Sequence, residues 1–168
     1  MSQSIPAKGR QLRTLVKPTG ELELSLAEVD IREPNDDEVV VRVEATPINP
    51  SDLGLLVGAA DLSTLTSSGT ADSPVLTAKI SEPGMRAMTA RVGQSLAVGN
   101  EGAGTVVAAG KSDAAQALLG KTVTALGGEF YADYRILNVA QVMALPENAS
   151  ARDGASCFVN PLTALSFP

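Results

Sequence analysis

The 168-residue sequence has no histidine and no tryptophan, one cysteine, two tyrosines and three phenylalanines. Without histidine there is no imidazole to serve as general base, metal ligand or pH switch near neutrality. The lone Cys157 excludes an internal disulfide and fits a reducing compartment, so the cytoplasm is the expected location. Basic residues are scarce too, 13 against 19 acidic ones for a formal charge of −6, which leaves nucleic acid phosphates little to hold. The longest apolar stretch, Leu53 to Ala60, is far shorter than the roughly 20 residues of a spanning helix, and MSQSIPAKGRQ at the start has no apolar leader core. Neither nucleic acid nor a membrane is an expected partner.

What the chain does have is small apolar residues. At 44% apolar and 3% aromatic, the interior must be filled by Val, Leu, Ala and Ile, a composition that favours strands and tight turns. The length suits one domain with a modest extension.

Alternation predicts a hairpin from Gln11–Lys17 and Glu21–Val29 around Pro18-Thr19-Gly20, followed by a strand over Glu38–Ala45. After Pro47-Ile48-Asn49-Pro50, Ser51 is placed to cap a short helix over Asp52–Val57 that Gly58 ends. The Ser-, Thr- and Gly-rich stretch 59–73 reads as a mobile loop. Strands are expected at Pro74–Ile80, Arg86–Val92 and Thr105–Ala109, a short helix at Ser112–Leu119, and strands at Lys121–Leu126, Glu129–Leu137 and Gln141–Leu145. Short strands at this spacing imply a barrel or sandwich over residues 1–149. From residue 150 to 168 the character changes, because Ser150 with Asp153 resembles a capping box that opens a helix.

The glycine-rich stretch Gly99-Asn100-Glu101-Gly102-Ala103-Gly104 is spaced G-x-x-G-x-G and runs into a strand. A dinucleotide fingerprint needs G-x-G-x-x-G between a strand and a helix, so that helix amides meet the pyrophosphate. On its own the stretch is a tight turn with close backbone packing.

Four segments in order nonetheless resemble one family. Asn49-Pro50-Ser51-Asp52 is similar to an N-x-x-D turn, and Gly99 through Val107 to a G-x-E-x-x-G-x-V signature. Gly127-Gly128-Glu129-Phe130-Tyr131-Ala132-Asp133-Tyr134 resembles a G-x-x-A-E-Y strand, and Asn160-Pro161-Leu162-Thr163-Ala164-Leu165 the helix that enters a cofactor domain. Together they resemble the N-terminal part of medium-chain dehydrogenase/reductases. The resemblance implies a mainly-β, GroES-like, partly open barrel with short helices, whose last helix leads toward a Rossmann domain absent from these residues. The usual zinc-ligand positions are occupied by Asn100 and Val159, with Cys157 out of place, so the resemblance points to the zinc-independent, quinone oxidoreductase-like or enoyl reductase-like branch.

In that branch hydride passes from NADPH to a quinone or an α,β-unsaturated carbonyl. By motif, Asn49 and Thr163 match positions that contact the cofactor, and Asp52, Asn100 and Glu101 are possible site-lining residues. The tyrosines that often follow the N-x-x-D turn are replaced by Gly54 and Ala60, which leaves no catalytic residue assigned. Tyr131 and Tyr134 read as packing residues, and Cys157 as a small core residue of the last helix. The isolated chain is expected to be inactive, since the pyrophosphate loop belongs to the second domain. Uncovered apolar surface on the last helix admits self-association. The alternative from another class is a non-enzymatic GroES-like binding or assembly module, or the remnant of a truncated gene.

Overall fold

Two tight pairings set the architecture of the computed structural model, which describes residues 5–167. β1 (Lys8–Lys17) and β2 (Glu21–Asp30) pair antiparallel without a break from Lys17↔Glu21 to Lys8↔Asp30, and Gly20 takes the positive φ that the turn requires. β3 (Glu38–Ala45) is lined by four valines, and α1 (Pro50–Leu56) follows it. Then come β4 (Ala60–Gly69), β5 (Pro74–Ile80), α2 (Glu82–Ala87) and β6 (Ser95–Ala97). β7 (Glu101–Ala109), α3 (Asp113–Gln116), β8 (Thr122–Leu126), β9 (Tyr134–Asn138) and β10 (Val142–Ala144) complete the strands. α4 (Ala151–Gly154) and α5 (Val159–Ser166) close the described chain.

The strands form two antiparallel five-stranded sheets, ordered β4-β5-β2-β1-β6 and β10-β8-β7-β3-β9. Backbone bonds from Leu12 N to Tyr131 O (2.8 Å) and from Asp133 N to Arg10 O (2.9 Å) tie one sheet to the other. The mainly-β, partly open barrel with short helices is therefore what the chain adopts. One core packs Val39, Val41, Val106, Val123, Leu137 and Phe130 together, and a smaller one packs Val16, Leu22, Ile80 and Met88.

The glycine stretch is the opening of β7 itself. Gly104 lies opposite Val43, and a β-carbon there would collide with the carbonyl of Arg42; at Gly102 it would meet Phe130 at 2.6 Å. These glycines let β7 lie against β3 where the register shifts between Val43 and Ala45.

Several expectations are corrected. Residues 59–73 do not form an irregular loop: most of them make β4, paired with β5 at Thr66↔Thr77 through Gly69↔Pro74. Composition concealed a strand whose hydroxyl side chains mostly face water. In place of the strand expected at 86–92, α2 runs through Ala87 because Ser81 accepts from Gly84 N and caps it, a 3-10 turn follows at Thr89–Arg91, and only Val92 makes an isolated bridge to Val16. Of the expected strand 129–137 only residues 134–137 are strand, in β9, since Gly128 and Glu129 both have positive φ and turn the chain there. α1 begins at Pro50 with Asn49, not Ser51, as its cap. α3 is four residues long, shorter than the helix expected at 112–119. Ser150 and Asp153 do form the capping box, but the helix they open is broken after Gly154. Cys157 sits half-buried in that break rather than in the core.

Candidate functional site: a buried polar cluster beside an apolar cleft

Helix α1 is held at both ends. At its start, Asp52 Oδ2 accepts from Asn49 N at 2.9 Å. At its end, Arg91 donates to Leu55 O (2.8 Å) and the buried Thr14 hydroxyl to Leu56 O (3.3 Å), fixing the helix against β1. Asp52 is 1% exposed, and its other oxygen accepts from Asn100 N at 3.0 Å. The turn before β7 is thus fastened to α1, and Asn100 Nδ2 adds a bond to Ser51 Oγ at 2.8 Å.

Glu101 is the centre of the cluster and is fully buried. Its Oε1 accepts from Asn49 Nδ2 at 3.1 Å, and its Oε2 accepts from Phe158 N (2.8 Å) and Val159 N (3.1 Å). Asn160 Nδ2 then donates to Asn49 Oδ1 at 3.3 Å. No side-chain cap serves the start of α5, so the Glu101 carboxylate, 57 residues earlier in the chain, satisfies two amides of its first turn. Both buried carboxylates, Asp52 and Glu101, are met by N–H donors and form no ion pair among the described residues, which is how charge is accommodated away from water.

The structure thus brings together four of the five residues singled out from the motifs: Asn49, Asp52, Asn100 and Glu101. Thr163 lies on the same α5 that Glu101 anchors, exposed, with its hydroxyl donating to Val159 O at 2.7 Å. Both amide atoms of Asn49 are engaged within the protein, and its side chain is 1% exposed. Sequence reading missed Asn160, which joins the cluster only because the turn into α5 returns the chain to Asn49. It also missed the Tyr131 hydroxyl, which donates to Pro47 O at 2.9 Å. Burial first, and then the charge of nearby Asp52, push the Tyr131 phenol up to about 12, so it stays a protonated donor at physiological pH.

Thr46, whose hydroxyl donates to Glu101 O at 2.8 Å, separates the cluster from a cleft of about 790 Å³. Leu12, Leu26, Val43 and Phe130 give the cleft apolar walls, and Arg10, Glu44, Asp133 and Arg152 bring charges to it beside the Tyr131 ring. Among the described residues no three of Asp, Glu and Cys gather into a possible metal site. None of the described helices is long and apolar enough to cross a membrane.

No protein-family model matches the chain, and no curated protein does. Solved structures do. A protein assigned as an NADPH:quinone reductase from Bacillus thuringiensis superposes with a TM-score of 0.62 at 25% identity, over 96% of this chain and 40% of its own. One assigned likewise from Mesorhizobium loti gives 0.61 at 24%, over 97% and 44%. The CurK enoyl reductase gives 0.61 at 21%, over 93% and 41%. The structural neighbours include proteins described as quinone oxidoreductases and as enoyl reductases. This chain has the fold of part of such an enzyme. It spans less than half the length of each of these proteins.

Proposed function

We propose that the chain forms the barrel portion of an NADPH-dependent, zinc-independent, cytoplasmic oxidoreductase that reduces a quinone or an α,β-unsaturated carbonyl. The observation that carries this reading is the placement of Asn49, Asp52, Asn100, Glu101 and Asn160 in one hydrogen-bonded cluster at the root of α5. Those positions coincide with the motifs through which the sequence resembles the reductases, and the fold agrees with theirs over nearly the whole chain.

The residues fit only one end of the nucleotide. Gly99–Gly104 opens a strand, so no glycine turn leads into a helix N-terminus to receive a pyrophosphate there. At the nicotinamide end, Thr163 is exposed on α5 and would offer its hydroxyl, while Asn160 and Asn49 behind it would fix the helix that carries it. NADPH would supply hydride. The part of this chain would be to orient the acceptor against the apolar walls of the cleft, keep water from it, and hold α5 through Glu101. The donor set supports zinc independence: Asn100 is bonded to Ser51, and among the described residues Cys157 does not gather with two acidic side chains.

A chimera tests the reading. Joined to the portion of the M. loti reductase that the match leaves uncovered, the chain is expected to oxidise NADPH with a quinone or enone, followed by the loss of NADPH absorbance. Purified chimera should contain no stoichiometric zinc by elemental analysis. Thr163→Val should lower kcat/KM by about tenfold, the worth of one hydrogen bond of roughly 1.4 kcal/mol. The chain alone should show no saturable NADPH binding by fluorescence titration. A folded, NADPH-binding chimera that turns over neither acceptor class would overturn the assignment.

A further inference from the structure

Of the four charged side chains that line the cleft, Arg10, Glu44, Asp133 and Arg152, three already have partners of opposite charge. Asp133 Oδ2 accepts from both N and Nε of Arg10, at 2.9 and 3.3 Å. Glu44 Oε1 accepts from Arg42 Nη2 and from the Thr105 hydroxyl, each at 2.8 Å. Arg152 differs: among the described residues it forms no ion pair. The adjacent carboxylate, Asp153, is engaged at the start of α4, where its Oδ2 accepts from Ser150 N at 2.9 Å and from the Ser150 hydroxyl at 2.7 Å. Ala151, Gly154 and Ala155 are buried and the Thr124 hydroxyl holds Gly154 O, so the short helix is fixed while its arginine stays exposed at the cleft.

We propose that Arg152 is a specificity-determining residue, and that the acceptor reduced at this cleft carries a carboxylate on an apolar body. This deepens the oxidoreductase reading above and rests on it. At about 790 Å³ the cleft has the size of a small-molecule site. The walls of Leu12, Leu26, Val43 and Phe130 suit a flat or extended hydrocarbon, and the guanidinium beside them suits its charged end. A guanidinium presents a planar fork that matches the two oxygens of a carboxylate and is more weakly hydrated than an ammonium group. The chain as a whole, at −6, repels anions, so the preference is local to this wall. The carboxylate is bound and not reacted: hydride goes to the quinone or enone portion, which the ion pair holds in register.

Two probes of equal shape, 2-naphthoate and the neutral 2-naphthamide, titrated into the isotope-labelled 168-residue chain and followed by NMR, test this without any need for turnover. Naphthoate is expected to bind about fivefold tighter than naphthamide, the scale of an ion pair open to water, and added salt should erode that margin. The amide shifts should centre on Phe130, Tyr131 and Arg152. Arg152→Gln should make the two affinities equal, Arg152→Lys should keep part of the preference, and Arg152→Glu should reverse it. Circular dichroism of the three variants should match the parent, since Arg152 is exposed. Arg86→Gln makes the same change in net charge at a different groove, beside Pro18–Gly20, and should leave the preference intact. The proposal falls if the parent binds neither probe or both alike, if the preference survives in Arg152→Gln, if Arg86→Gln abolishes it, or if the shifts lie away from the cleft. Failure of the parent reading looks different: naphthoate binds through Arg152, yet the chimera reduces no acceptor, with or without a carboxylate.

Discussion

Glu101 and Asn49 meet side chain to side chain at 3.1 Å, both buried, across 52 positions of sequence. Through the other oxygen of Glu101 the same pair reaches the first turn of α5, so the strand, the α1 cap and the last helix share one carboxylate.

Replacing that carboxylate by its isosteric amide tests what it holds. In Glu101→Gln the negative charge at the α5 amides is lost, and an amide N–H₂ must share a site built entirely from donors. Stability in urea is expected to fall by about 2–3 kcal/mol, the range for a buried hydrogen-bonded charge. Hydrogen exchange should locate the loss in the α5 amides. Unchanged exchange there would mean that α5 is held by something else.

On the alkaline side the relevant group is Tyr131. Its phenol ionises near pH 12 in the folded chain against an ordinary value of 10.0. The stability tied to its neutral form is therefore complete below pH 10 and is lost as pH rises toward 12, because the unfolded chain releases that proton first. A spectrophotometric tyrosine titration should show a late step. Tyr131→Phe should remove it, and a late step that persists in this variant would reassign it.

The acid side depends on Glu38, at the start of β3. Arg32 donates to both of its oxygens, at 2.6 and 2.9 Å, and Asn35 N donates at 2.8 Å. The Arg32 guanidinium first, and then that backbone N–H, lower its pKa from 4.5 to about 2. The sign is opposite to that of Tyr131: the contribution is present above about pH 4.5 and is lost as pH falls toward 2. Thermal melting across this window should be flatter for Glu38→Gln than for the parent, and an identical slope would remove Glu38 from the account.

The sequence revealed most where local chemistry decides the structure. Pro18-Thr19-Gly20 between alternating runs placed the first hairpin, and Ser150 with Asp153 placed the capping box at α4. It misled where local cues compete. Ser81-Glu82-Pro83 is both a turn signal and a helix start, and the side chain of Ser81 decided for the helix by accepting from Gly84 N. The hydroxyl-rich β4 was missed because alternation is invisible in a strand exposed on both faces. For the candidate site, motif resemblance found Asn49, Asp52, Asn100 and Glu101, but nothing local indicates which amides Glu101 would meet. That partnership depends on how α4 and the turn after it bring residues 158–160 back to α1, with the Thr124 hydroxyl donating to Gly154 O at 2.7 Å to hold α4 down.

None of the residues of α5 is buried, and its bonds to the barrel all lie at Phe158, Val159 and Asn160. Mechanically the helix is a cantilever with its fulcrum at Glu101. Eight residues at 1.5 Å each give an arm of about 12 Å, so a tilt of about 5° at the root sweeps the tip through about 1 Å. Thr163 rides halfway along that arm, and its aim is set at the root, by the Glu101 carboxylate and the bond between Asn160 and Asn49.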